Sequence, residues 1–209
     1  MKNHATEVIV PRRQPQILVI GSAFDTLAPD PHQLNAAETI GRQIAQADAI
    51  LMFGAEPDVD SYPTVAARAA RASGGITVAF PPGSSKQLFD PTAATIICPL
   101  SVDRGGPREA LLSRMGDAVI LIRGGSGGAT EALAAYQGLI PLVCLAGSGG
   151  WADRLLDQPI DERAVKRVVL KATSAEQAVA LAWQQACRLI GTAKVKLEPT
   201  RFHPDPNIR

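Results

Sequence analysis

The sequence predicts an α/β fold, a doubly wound and mostly parallel sheet with helices on both faces. Three observations predict it. Short apolar runs alternate with helix-forming segments along nearly the whole chain, the order that a parallel sheet requires. One run, Ala118 to Ile122, is apolar without a break, as a strand buried on both faces must be. Several runs end in glycine, at Gly21, Gly54 and Gly124, which puts tight turns at the carboxyl ends of strands, where such sheets hold ligands.

Taken in order, residues 1–15 carry two prolines and Arg12-Arg13 and read as an arm. Residues 16–190 form one domain. Its first strand is 16–21, and Gly21-Ser22 opens a turn. Pro29 and Pro31 make 23–33 a fairly rigid loop. Leu34, Ala37, Gly41 and Ile44 share one face of a helix over about 34–46. A strand at 48–54 precedes an alanine-rich helix at 63–73, which Gly74-Gly75 stops. Strands follow at 76–80 and 94–98. Pro107 suits a first helical position, so 108–115 is the next helix. After the central strand and its helix (129–137), a strand at 140–146 ends in a second glycine turn, Gly147 to Gly150. A short helix at 151–156, a strand at 167–171 and a helix from Ser174 to about Ile190 complete the domain. Ser174-Ala-Glu-Gln177 has capping-box spacing. Residues 191–209 are a basic, proline-bearing tail without periodicity, an arm over the domain or disordered.

Composition narrows the function. At 209 residues the chain suits one domain with a sizeable core. Hydrophobic residues make up 46% and aromatics only 4%, so that core is aliphatic. With 21 basic and 20 acidic residues there is no electrostatic footprint for nucleic acid or an anionic membrane. Cys98, Cys144 and Cys187 are scattered; Cys98 and Cys144 lie in apolar runs, read as small buried hydrophobes of a reducing cytoplasm. No apolar run has signal-peptide or membrane-helix length. His4, His32 and His203 are dispersed, and there is no Walker A lysine, Ser/His/Asp set or metal-ligand cluster. No metal or cofactor is expected.

The central turn carries the chemistry. Gly124, Gly125, Gly127 and Gly128 fall within five positions between a strand and a helix. Glycines let the backbone approach an anion, and a helix start aims unpaired N–H groups at it. Gly124 to Thr130, with Ser126 and Thr130 as hydroxyl donors and Ala129 in the same run, form the expected phosphate loop. Gly21, Ser22 and Gly54, at the ends of neighbouring strands, should line the same crevice, as should Gly147 to Gly150.

At Arg123-Gly-Gly-Ser-Gly-Gly-Ala-Thr-Glu131 the sequence resembles the LOG family, which carries Pro-Gly-Gly-x-Gly-Thr-x-x-Glu after a buried strand. That family sits in a wider Rossmann-like superfamily with the molybdenum cofactor carriers. Gly124, Gly125, Gly127 and Glu131 match the motif, and Arg108 stands sixteen positions before Gly124, where the family has an arginine. Arg123 replaces the motif proline, and Gly128 replaces its threonine. The resemblance implies binding of a nucleotide or another phosphate-bearing small molecule. It implies either hydrolysis of the N-glycosidic bond of nucleoside 5′-monophosphates, with Glu131 and Arg108 as catalytic residues, or carriage without turnover. Glu131 in a first helical turn is equally what the helix dipole favours with no ligand at all. Arg123 could bind the anion or pair with Glu131, Glu56 or Asp58. The acidic turn Glu56 to Asp60 would repel a phosphate. Family members are often dimers, so a homodimer or higher homo-oligomer is expected.

Overall fold

The computed structural model describes residues 6–25, 28–157, 160–161 and 169–197. In chain order the elements are β1 (Thr6–Pro11), β2 (Gln16–Gly21), α1 (Pro31–Gln46), β3 (Ile50–Gly54), α2 (Tyr62–Ala72), β4 (Thr77–Phe80) and β5 (Ile96–Ile97). There follow α3 (Pro107–Ser113), β6 (Ala118–Ile122), α4 (Ser126–Gln137), β7 (Leu142–Leu145), α5 (Gly150–Asp157), β8 (Val169–Ala172), α6 (Ala175–Ile190) and β9 (Thr192–Leu197).

Seven strands form one sheet in the order β5-β4-β3-β2-β6-β7-β8, and every ladder in it is parallel. The Rossmann-like α/β expectation holds. β6 is buried along its whole length, which explains its unbroken apolar run. Helices α1, α2 and α6 cover one face over a core that includes Ile17, Ile40, Leu51 and Ile120. Helices α3, α4 and α5 cover the other, over Leu18, Ile20, Leu112, Val119 and Leu121. Alternate residues of β2 and β6 thus feed opposite layers. Between α1 and α2 the backbones nearly touch: a Cβ at Gly41 would lie 1.9 Å from the Ala66 carbonyl oxygen, so only glycine fits there. Among the described residues, no helix is long and apolar enough to cross a membrane.

Local chemistry sets the ends of the helices. Helix α1 begins earlier than its periodicity shows. Asp30 is its N-cap, accepting from the His32 amide at 2.7 Å, and Pro31 takes the first helical position, so the end of the expected rigid loop is a helical turn. His32 is therefore helical. At α6 the expected Ser174 cap is present, accepting from Gln177 N at 3.2 Å, while the Gln177 side chain reaches back to Thr173 N at 2.7 Å.

Part of the expected arm and part of the expected tail are strands: β1 and β9 form a separate antiparallel ribbon, from Thr6 opposite Leu197 to Pro11 opposite Thr192. The expected tail is not without periodicity, since Ala193-Lys-Val-Lys-Leu197 alternates as a strand does, but neither segment announces a partner so far away in sequence. The strand expected at 94–98 shortens to the two residues of β5, and the last strand of the parallel sheet is seen from Val169. Arg167, His4, His203 and residues 198–209 lie outside the described residues.

Candidate functional site

Strand order reverses between β2 and β6, and their carboxyl ends open the crevice that such a switch point creates. Four residues fix the turn after β6. Arg123 and Gly124 both have positive φ, 59° and 88°. The Arg123 amide donates to Ser148 Oγ at 2.9 Å, and the Gly124 amide donates to Ser22 Oγ at 3.2 Å. Their carbonyls accept from Ala152 N at 2.8 Å and Trp151 N at 3.0 Å, at the start of α5. This bonding over-determines a left-handed Arg123, a conformation that a proline, fixed near a φ of about −65°, could not adopt. The exchange of the motif proline for Arg123 is a backbone change as well as a change of side chain.

Beyond it the chain enters α4 with Gly125 as N-cap, its carbonyl accepting from Ala129 N at 2.9 Å. Among the described residues, nothing accepts from the amides of Gly125, Ser126, Gly127 or Gly128. They stand at the mouth of a cavity of about 720 Å³. A Cβ at Gly125 or Gly127 would meet no protein atom within 4 Å, so the space above the turn is open.

Arg108 and Glu131 line the same cavity. Arg108, only 3% exposed, donates through Nη1 to Glu56 Oε1 at 2.7 Å and through Nη2 to the carbonyls of Phe80 (2.7 Å) and Ala55 (3.3 Å). Its Nε has no partner among the described residues. A Cβ at Gly54 would crowd that Nη2 at 3.2 Å and Leu112 Cδ2 at 3.1 Å, so a larger residue there would have to push Arg108 or Leu112 aside. Glu131 is half-buried, and its carboxyl makes no hydrogen bond among the described residues. One side reaches the cavity while protein surrounds the rest, so burial pushes its carboxyl up to about 8. The Arg108 charge opposes that rise, and Glu109 and Glu56 add to it. At neutral pH Glu131 is therefore mainly the uncharged acid.

The acidic turn is neutralised, against the expectation that it would repel an anion. Arg104 pairs with Glu56 and Asp58, each at 3.2 Å, and Arg68 pairs with Asp60 at 3.0 Å. Arg123 pairs with none of Glu131, Glu56 and Asp58. Its guanidinium lies along Gly149, with Nη1 3.5 Å from where a Cβ would stand. Among the described arginines that line the cavity, it alone has no carboxylate partner.

The profile of the SLOG cluster4 family matches residues 14–179. The chain belongs to the SLOG cluster4 family. Its fold is similar to that of TM1055, a structural genomics target, at 24% identity and a TM-score of 0.71, over 82% of this chain and 99% of that one. It is also similar to the molybdenum cofactor carrier protein of Chlamydomonas reinhardtii (24% identity, TM-score 0.67, 83% and 98% covered). A third similar structure is the molybdenum cofactor binding protein of Rippkaea orientalis (22%, 0.67, 81% and 96%). No curated protein matches the sequence.

Within this SLOG protein the remaining candidates divide. Gly21, Ser22, Ser126 and Thr130 line the main cavity, Thr130 Oγ1 donating to the Ser126 carbonyl at 3.1 Å. Gly54 instead lines a small adjoining pocket of about 50 Å³, which it shares with Gly21 and Glu131. Ala129 is buried beneath the turn and does not line the cavity. Of the second glycine turn only Gly150 does: the amides of Gly147 and Gly149 are taken by Asp153, at 2.7 and 2.8 Å. Among the described residues, no cluster of side chains could hold a metal ion.

Several lining residues carried no signal in the sequence. Phe24, Tyr62 and Arg104 reach the cavity from loops or a helix start. Glu109 does so from α3. Burial alone would raise its carboxyl, but N–H donation from Gly105 and Gly106 and the Arg108 charge hold it below the usual range. Only the spacing of Gly105-Gly106 before Pro107 and Glu109 could have marked that corner, as a helix start closed by its own acid.

Proposed function

We propose that this SLOG protein binds a phosphate-bearing small molecule, a nucleotide or a molybdenum-cofactor-type ligand, in the cavity above Gly124 to Thr130. One observation carries the reading: four consecutive amides, Gly125 to Gly128, meet no acceptor among the described residues at a helix start, beside an arginine with no carboxylate partner among them. Neutral Glu131 and the ion-paired Glu56 lessen the negative charge that would oppose an anion there, and the charge Glu109 keeps is turned onto the amides of Gly105 and Gly106. The volume accommodates a mononucleotide-sized ligand. Titration with nucleoside 5′-monophosphates, ribose 5-phosphate and inorganic phosphate tests it by calorimetry and by rise in Tm. Binding lost on Arg123→Ala and on Gly127→Asp, which puts a carboxylate over the amides, supports the reading. Indifference to every phosphate compound sinks it.

A second reading, hydrolysis of the N-glycosidic bond of a nucleoside monophosphate, is favoured by Glu131 being protonated, unbonded and beside Arg108 in the same cavity. A neutral carboxylic acid can protonate the departing base as the C1′–N bond breaks; water then bonds its oxygen to C1′ and gives its proton to the carboxylate, which restores the acid. Release of free base by the wild type, abolished in Glu131→Gln with binding retained, supports turnover. Tight binding with no base released supports a carrier. We also propose self-association through α3 and α4, which pack together and leave Leu111 and Leu133 exposed, with Met115 exposed just past α3. A monomeric mass at working concentration would reject it.

A further inference from the structure

We propose that Phe24 is a platform for a flat ring, so that the site selects a phosphate ester carrying an aromatic heterocycle over one that ends at its sugar. This rests on the phosphate-binding reading above and deepens it. Aromatic residues are only 4% of the chain, yet two of them, Phe24 and Tyr62, stand on one wall of this cavity. The rest of the lining is glycine, hydroxyl and charge apart from two small alanines, Ala23 and Ala28. The two rings meet edge to face, with centroids 4.9 Å apart and planes at 81°.

Their surroundings differ in a way that points to a ligand. Tyr62 is 2% exposed and its hydroxyl accepts from the Asp30 amide at 3.0 Å, so its ring and its polar tip are both satisfied within the protein. Phe24 is half-buried: it packs against the aliphatic core under α1 and α2 and also lines the polar cavity, with no polar tip to be satisfied within the protein. Its backbone is held rather than loose. Phe24 N donates to the Asp60 carbonyl at 2.9 Å, Tyr62 N donates to the Ser22 carbonyl at 3.2 Å, and Ala23 and Ser61 form an antiparallel bridge between them. The same segment is tied to the glycine turn, because Ser22 Oγ accepts from Gly124 N. Two residues of extended chain reach at most about 7 Å, so the Phe24 backbone is held within about that distance of Ser22, whose hydroxyl is bonded at the edge of the open amides. A rigid ring beside an anion cradle is how stacking proteins hold a base without reading its identity.

The test is calorimetry on the full chain with the common nucleoside 5′-monophosphates and ribose 5-phosphate, for the wild type, Phe24→Leu and Phe24→Trp. Stacking on one aromatic ring is worth a factor of roughly 5 to 150 in affinity. The wild type should prefer nucleotides to ribose 5-phosphate by a factor in that range. Phe24→Leu should erase most of this preference and leave ribose 5-phosphate binding unchanged, and Phe24→Trp should keep it. Equal wild-type affinity for ringed and ringless esters overturns the platform while the anion site stands, and that comparison decides the matter even if Phe24→Leu does not fold. Equal weakening of both ligands by Phe24→Leu also overturns it, since the ring would then only support the loop. Failure of every ester to bind overturns the phosphate reading and this one together.

Discussion

The chain has two glycine-rich turns at the carboxyl ends of adjacent strands, Gly124 to Gly128 after β6 and Gly147 to Gly150 after β7, and their chemistry is opposite. In the second, Asp153 from α5 brings its own carboxylate onto the amides of Gly147 and Gly149. In the first, no such acid is supplied among the described residues, and among them the amides of Gly125 to Gly128 are left open. Glycine content does not make an anion site. What decides is whether the fold fills the turn with an acid of its own. The sequences differ in the place that matters: Asp153 falls three residues after Gly150, while the acid that follows Gly128 at the same interval, Glu131, faces the cavity without bonding the turn.

The largest expected effect breaks the join between the turns. Gly150 has a φ of 61°, and a Cβ there would lie 2.5 Å from the Gly124 carbonyl oxygen and 2.8 Å from that of Arg123. Gly150→Ala should cost about 3 kcal/mol or more, read from the denaturant midpoint. Next, Asp153→Asn removes the built-in anion from the second turn and turns an amide donor toward one of the two N–H groups. A loss of about 2 kcal/mol is expected, with part of it recovered in sulfate as the vacated amides gain an external acceptor. No salt-specific recovery would mean that the second turn cannot be made to behave like the first.

Glu131 sharpens the comparison through pH. Its carboxyl holds a proton to about pH 8 in the folded chain, against about 4.5 for the unperturbed group. Between those values the folded state binds more protons than the unfolded one, so stability falls as pH rises through that window. The slope should stay below the ceiling of about 1.4 kcal/mol per pH unit, because the side chain reaches the cavity. Glu131→Gln should flatten this dependence, and anion affinity in the wild type should weaken above pH 8 as the carboxylate forms. A flat wild-type profile would place Glu131 in contact with water. The smallest effect is expected from Arg123→Gly. Relief of a left-handed arginine is nearly offset by the freer unfolded chain, so unliganded stability should hold or rise by about 0.5 kcal/mol. The rise in Tm produced by phosphate compounds should shrink in the same variant.

Much of this was legible because it is local. The apolar run of β6, the glycines behind it and the Ser174 cap each act within a few residues, so their spacing records their geometry. Arg108 and Glu131 likewise come to one cavity as the motif spacing implies. Long-range partners leave no such record. That Glu56 is neutralised by Arg104 and Arg108 depends on chain segments about fifty residues apart meeting at the ends of β3 and β4. The same holds for the β1–β9 ribbon and for Phe24, placed by hydrogen bonding to Asp60 across a loop. Pro31 misled for a different reason: a proline breaks a helix interior but starts a helix well, and only the Asp30 cap tells the two apart.

The carbonyl of Gly124 and the amide of Gly125 belong to one peptide plane, with the oxygen bonded to Trp151 N and the N–H facing the cavity. An acceptor bound to that N–H would polarise the plane and strengthen the bond on its far side. The backbone amide of Trp151, whose indole has the Arg154 guanidinium 5.3 Å from its ring centre, therefore sits one hydrogen bond away from the cavity. Occupancy should change the protein's own tryptophan emission, and Trp151→Phe should silence that signal while Trp183 continues to emit.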